Sequence, residues 1–175
     1  MFYVLRAGCP WRYLPADIPP WQTVYYHFRR CRLCGIWQII LGALRRAERE
    51  RIGRCPQPAA AIMDAQSVKT VEASARRSGY DGYKRIKGRK RHLLVDTLGL
   101  PRSIEVTPAD THDKAGALRL LSGLAPLVPR LRTIWADGAY TSRKLARWCK
   151  RYAGWELAIA GRAPDTMGFT VQPRR

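Results

Sequence analysis

The sequence contains no run of apolar residues near the roughly 18–20 that span a bilayer. Its N-terminus lacks the basic, apolar and small-residue order of a signal peptide. Both absences argue against a secreted or membrane-spanning protein. Cysteine is sparse and odd in number. Cys9, Cys31, Cys34, Cys55 and Cys149 stand at irregular spacing, which excludes a disulfide framework and fits the reducing cytoplasm. Cys31 and Cys34 form a lone C-x-x-C, with His27 four residues before it. Structural zinc takes four ligands and no second pair follows, so helix-packing thiols are the plainer reading. No internal repeat or low-complexity segment is visible. The scarcest chemistry is acid: 13 Asp+Glu face 32 Lys+Arg, for a net charge of +19.

Hydrophobic residues make up 46% of the 175, enough for one domain of ordinary size with a small helical appendage. The basic excess costs self-repulsion in the compact state and points to a polyanionic partner. An anionic membrane surface would call for one basic amphipathic helix. Here the charge is spread: residues 1–60 carry ten basic and three acidic side chains, and residues 61–175 carry twenty-two and ten. Nucleic acid is the better match.

Residues 1–52 read as helical. Phe2 to Leu5 open a short apolar segment, and the prolines at 10, 15, 19 and 20 mark turns. From Trp21 to about Arg32, apolar Val24, Phe28 and Cys31 recur at helical spacing, and Gly35 suits a left-handed cap. A second run from Ile36 to about Arg51 sets Ile36, Ile40, Ala43, Leu44 and Ala47 on one stripe. Helix, glycine, helix is compatible with a helix-turn-helix and with a plain helical hairpin, which the pattern alone favours. Pro56 and Pro58 interrupt any helix and place a boundary near residue 56, giving units of 1–55 and 56–175.

Beyond the boundary the pattern changes to short apolar runs. Ala59–Met63, His92–Val95, Ile104–Val106, Leu131–Ala136 and Trp155–Ala160 read as strands, with a Leu98-Gly99-Leu100 turn between the second and third. Thr111 or Asp113 can cap a helix carrying Ala117, Leu118, Leu121 and Leu124. Thr141 or Ser142 can cap another with Leu145, Trp148, Cys149 and Tyr152 on one face and five cations on the rest. Three strands followed by alternation predict an α/β fold, a mixed sheet with flanking helices.

Asp64 and Asp137 each follow an apolar run that predicts a buried strand. A carboxylate there is costly unless paired or metal-bound. On neighbouring strands the two would converge, and a hard cation such as Mg²⁺ or Mn²⁺ would remove their repulsion. The plainer role is a turn or helix cap. Asp96 also ends an apolar run, and the following Thr97-Leu98-Gly99 assigns it to a turn. Asp110 and Asp113 read as turn and cap residues beside His112. The densest basic stretch runs from Arg76 to Arg91 and includes Arg77, Lys84, Arg85, Lys87, Arg89 and Lys90, with Tyr80, Tyr83 and three glycines among them. It reads as a phosphate-contacting segment rather than a merely solvated loop.

These motifs resemble those of bacterial insertion-sequence DDE transposases of the IS-five type, in the broader IS-four-like group. The resemblance lies in Asp64-Ala-Gln-Ser-Val-Lys-Thr70, the block from Gly79 to Leu100, Pro108-Ala-Asp-Thr-His-Asp113 and Ala136-Asp-Gly-Ala-Tyr140. Gly8 to Pro15 and Pro20 to Tyr26 are similar to the family's helical leader. The resemblance implies a ribonuclease H-like catalytic fold. It implies Asp64 and Asp137, 73 residues apart, as the first two catalytic acids and as ligands of Mg²⁺ or Mn²⁺. It further implies double-stranded DNA as partner, at the element's terminal repeats and at the target, and it strengthens the helix-turn-helix reading of residues 20–52. A bacterial, nucleoid-associated protein follows, with no membrane partner.

The family's third acid is a Glu on a helix beyond the fifth strand. Phe169 to Arg175 resembles the approach to that helix, and Glu156 and Asp165 match its motif in neither case. The sequence therefore reads as a transposase truncated at both ends, lacking the final catalytic helix. That predicts an exposed sheet face and reliance on a homo-oligomer or a complementing C-terminal fragment. The expected function is metal-dependent DNA cleavage and strand transfer, inactive or nearly so in this chain. The alternatives are a non-catalytic DNA-binding regulator of transposition, a zinc-dependent module on Cys31 and Cys34, and an RNA-processing nuclease.

Overall fold

The computed structural model describes residues 1–70 and 78–160. The chain divides into two compact units, Met1–Pro56 and Gln57 onward.

The first unit is helical: α1 (Phe2–Ala7), a 3₁₀ turn at Trp11–Tyr13, α2 (Trp21–Leu33) and α3 (Ile36–Arg51). Pro20 precedes α2, and Gly35 takes a left-handed φ of 67° between the two longer helices, as its sequence position predicts. The packing is aromatic. Trp11 lies against Tyr25 and Phe28, and Phe28 in turn against Trp37. The expected apolar stripe of α3 is not what packs: Ile40 and Leu44 are exposed, and Trp37, off that stripe, makes the ring contact. Large flat rings bury more area per residue than aliphatic side chains and so set the packed face.

The second unit is a six-stranded sheet with helices. In chain order it comprises β1 (Ala60–Lys69), β2 (Gly79–Asp81), β3 (Ile86–Asp96), β4 (Pro101–Pro108), α4 (Asp113–Leu121), β5 (Thr133–Ala136), α5 (Arg143–Ala153) and β6 (Glu156–Ile159). β3 pairs antiparallel with β1, and along its other edge with β4 and β2. β5 joins β1 in parallel, and β6 joins β5 in parallel. This is the ribonuclease H-like mixed sheet that the resemblance implies. The expected absence of a last helix concerns Gly161 onward, outside the described residues.

One sheet face is closed. Ala61, Met63, Leu94, Ile134 and Ala136 point inward to Ala117, Leu120 and Leu121 of α4 and to Leu145 and Cys149 of α5. The cap of α4 is His112, whose Nδ1 accepts from Lys114 N–H at 3.3 Å, and not the expected Thr111 or Asp113. Ser142 caps α5 by accepting from Leu145 N–H. His92 is fully buried on this face. Thr107 donates its hydroxyl to Pro108 O, which leaves Thr107 Oγ1 to accept from His92 Nε2 at 3.0 Å. Burial pushes its pKa down, Asp113 pulls it up, and Lys90 and Arg119 lower it further. Among the described residues of this unit the other face is open and exposes Ile62, Ile104, Val106 and Trp135.

Candidate active site

Asp64 lies in the middle of β1, not at its end as the apolar run suggested. The strand continues because Ala65 and Ser67 keep the alternation, small and inward, while Ile62, Asp64 and Gln66 face outward. Asp64 therefore stands on the open face and is exposed, not buried. β5 runs parallel to β1 with Met63 opposite Ala136. Continued one residue past the end of β5, this register would set Asp137 beside Asp64, on strands about 5 Å apart. Asp137 is also exposed, and its Oδ1 accepts from Ala139 N–H at 3.0 Å, capping the 3₁₀ turn Gly138–Tyr140. Asp137 thus fills the capping role that its position after a strand suggested. Asp64 Oδ1 accepts from Ala65 N–H at 2.7 Å.

Beneath the pair sits Tyr140, almost fully buried. Burial raises its pKa, and the negative charges of Asp113, Asp64 and Asp137 raise it further, so the phenol stays neutral.

Beside Asp64 is a cleft of about 440 Å³ lined by Gln66, Lys84, Arg91, Leu93 and Ile104. Arg91 donates to Gln66 Oε1 at 2.7 Å, and Lys84 Nζ donates to Ala65 O at 3.2 Å. Two cations thereby flank one carboxylate across an apolar floor. The donor set fits a hard divalent ion at the Asp64–Asp137 pair and a phosphate between Lys84 and Arg91. Among the described residues no third His, Cys, Asp or Glu joins the pair in a metal-binding group. Glu156 does not complete it. It pairs with Thr133 at the opposite end of β5 from Asp137, some four residues or about 13 Å away. Asp165 lies outside the described residues.

The basic stretch divides between two roles. Lys84, Arg85, Lys87 and Arg91 are exposed, and Arg89 is half-buried. Lys90, expected at the DNA surface, is 7% exposed and points to the core face. It pairs with Asp113 at 3.0 Å and Asp81 at 3.6 Å and donates to Thr111 O at 3.0 Å. Strand alternation explains the difference: β3 begins at Ile86, so consecutive cations point to opposite faces. Arg76 and Arg77 lie outside the described residues. Asp96 holds the β3–β4 turn by accepting from Leu98 and Leu100 N–H, with Gly99 at a φ of 79°.

A family model described as a transposase DDE domain matches residues 56–167. The chain belongs to the DDE transposase family. A second model, a putative transposase of the IS4/5 family, matches residues 1–41. Among solved structures, this transposase chain is similar to the catalytic core domain of HTLV-2 integrase in complex with magnesium. The dimeric form is 19% identical with a TM-score of 0.40, over 59% of this chain and 61% of that one. The simian T-cell lymphotropic virus intasome in complex with PP2A regulatory subunit B56 gamma matches at 18% identity and a TM-score of 0.39, over 59% and 32%. The chain thus spans about three-fifths of the integrase core and a third of the intasome chain. No curated protein matches it.

Sequence reasoning missed the transposase's buried network around Asp81. Ser67 donates its hydroxyl to Asp81 Oδ2, and Asp81 Oδ1 accepts from Tyr83 and Lys84 N–H at 3.1 Å each. The Ser67 bond first, then the Lys84 amide and the Lys90 charge, hold Asp81 down at a pKa of about 2. A lone acid inside a basic run was the available signal. It fixes the turn that presents Lys84 beside Asp64.

Proposed function

We propose that this chain carries the DNA-cleaving and strand-transferring site of a bacterial insertion-sequence transposase. The observation that carries the reading is the parallel register of β1 and β5, which pairs Met63 with Ala136 one residue before Asp64 and Asp137, with Asp64 lining a cation-flanked cleft. Asp64 and Asp137 would hold Mg²⁺ or Mn²⁺, which when bound neutralises developing charge and activates the attacking oxygen in phosphodiester displacement. Lys84 and Arg91 orient the phosphodiester by contacting its oxygens, and Leu93 and Ile104 keep water from one side of it. Arg85, Lys87 and Arg89 hold the flanking duplex, at terminal repeats or target, through phosphate contacts without reading sequence. The helical unit is a second DNA contact, and the protein works in the cytoplasm at the nucleoid.

Among the described residues no third acid joins Asp64 and Asp137. Full activity then draws on a homo-oligomer or a complementing transposase fragment, and this chain alone nicks weakly or not at all. The same observation supports the second reading, a DNA-binding regulator of transposition that occupies the sites without cutting.

The test is Mg²⁺- or Mn²⁺-dependent nicking of DNA carrying the element's terminal repeats, for the wild type and the Asp64→Asn and Asp137→Asn variants. Nicking abolished by both substitutions supports the catalytic reading. Nicking that survives both overturns the assignment of the pair. Binding without nicking in the wild type selects the regulator.

A further inference from the structure

α5 is the most one-sided helix in the second unit. Five of its eleven residues are cations and none is an acid: Arg143, Lys144, Arg147, Lys150 and Arg151. Leu145 and Cys149 anchor it to the core. Lys144, Arg147 and Arg151 recur at one-turn spacing along its outer side, with Trp148 and Tyr152 alongside them. These five line a groove of about 410 Å³.

The floor of the groove is aromatic and held by several contacts. Trp148 and Tyr152 stack at 4.5 Å with an interplanar angle of 12°. Tyr152 also meets the buried Trp155 edge-on, and its hydroxyl accepts from Gly123 N–H at 2.7 Å.

The helix favours only the C-terminal part of this charge, since Lys150 and Arg151 lie in its last turn, where the dipole stabilises cations. Arg143 and Lys144 occupy the first turn, where the helix dipole disfavours cations. Lys144, Arg147 and Arg151 repel one another at three- and four-residue spacing. Among the described residues no carboxylate pairs with any of the three. A ligand with evenly spaced negative charges removes each of these costs, and a single small anion would not.

We propose that the Lys144–Arg147–Arg151 groove is a second binding surface for the DNA phosphate backbone, separate from the Asp64 cleft. The aromatic pair is its floor, and the three cations contact successive phosphates without reading bases. The inference rests on the reading that the chain works on DNA, and it adds a surface on which the duplex is held away from the cleaved bond.

The experiment measures affinity of the full chain for a 30-base-pair duplex across a salt series. It uses the wild type, a Lys144→Gln/Arg147→Gln/Arg151→Gln variant and an Arg85→Gln/Lys87→Gln variant. Each lost phosphate contact lowers the slope of log affinity against log salt by about 0.9, so three lower it by roughly 2.7. Between 50 and 200 mM salt the wild type then loses about 40-fold more affinity than the α5 variant. An α5 variant with the wild-type slope, beside a turn variant whose slope falls, overturns the groove and leaves the DNA reading standing. A wild type with no salt-dependent binding overturns both. All five substituted positions are exposed, and a melting temperature no lower than that of the wild type confirms that the variants are folded.

Discussion

Lys90 and Asp81 show how one residue's position in the strand alternation decides its task. Both sit in a segment whose composition reads as nucleic-acid-binding, yet both are buried and bind each other. Breaking a buried pair from one side leaves an uncompensated charge, at a cost of about 3–5 kcal/mol. Lys90→Ala strands Asp81 and Asp113 together. It is expected to lower the melting temperature by roughly ten degrees or more while leaving the DNA salt slope unchanged. A lost slope with an unchanged melting temperature would place Lys90 back on the DNA surface. The acid side adds a second check. The folded state holds Asp81 near pKa 2 against an ordinary 3.8. Its stabilising contribution is therefore complete above pH 4 and disappears as pH falls toward 2. The stability gap between wild type and Asp81→Asn, read from urea midpoints, is expected to narrow over that window. A gap constant from pH 5 to 2.5 would deny the network.

At the scale of elements, apolar runs located each core strand and placed the end of β5 at Ala136, while β1 and β3 were read short. The run Ala59–Met63 stops at Asp64, but β1 continues to Lys69, because its outward positions face an open surface and need not be apolar. β3 likewise begins six residues before His92, inside a basic stretch whose inward positions are Gly88 and the paired Lys90. Asp64 and Asp137 were still legible, since each follows a run of small or aliphatic residues. That their strands are neighbours rests on the parallel register of β1 and β5, which no local pattern encodes. The packing of α4 is equally invisible in the chain and equally strict. A Cβ at Gly116 would overlap the ring of His92, which is buried and held by Thr107. Alanine normally improves a helix interior by about 1 kcal/mol over glycine. Here Gly116→Ala is expected to destabilise by about 1–3 kcal/mol, because the overpacked ring has nowhere to move. Denaturant unfolding checks the sign, and a stabilised variant would mean that α4 does not rest on His92.

For the molecule as a whole, the excess charge is the property that no internal contact balances. The first unit carries ten cations against three acids, and the remainder twenty-two against ten. Like charges raise the free energy of the compact state, and salt screens that repulsion over a Debye length of about 10 Å at 0.1 M. The chain without DNA should therefore gain stability as salt rises. Bound to a duplex, the same cations are neutralised by phosphates, and the complex stabilises the fold by mass action. Salt then weakens the complex by returning counterions to the DNA. The two states are expected to respond in opposite directions: melting temperature climbs with sodium chloride for the free chain and falls with it for the DNA complex, the curves meeting where binding is lost. Parallel curves would show that the cations are balanced within the protein and that the polyanion contributes nothing to its stability. Opposed curves would make the partner a component of the fold's energetics, because a surface this basic reaches its lowest free energy only against a second, oppositely charged one.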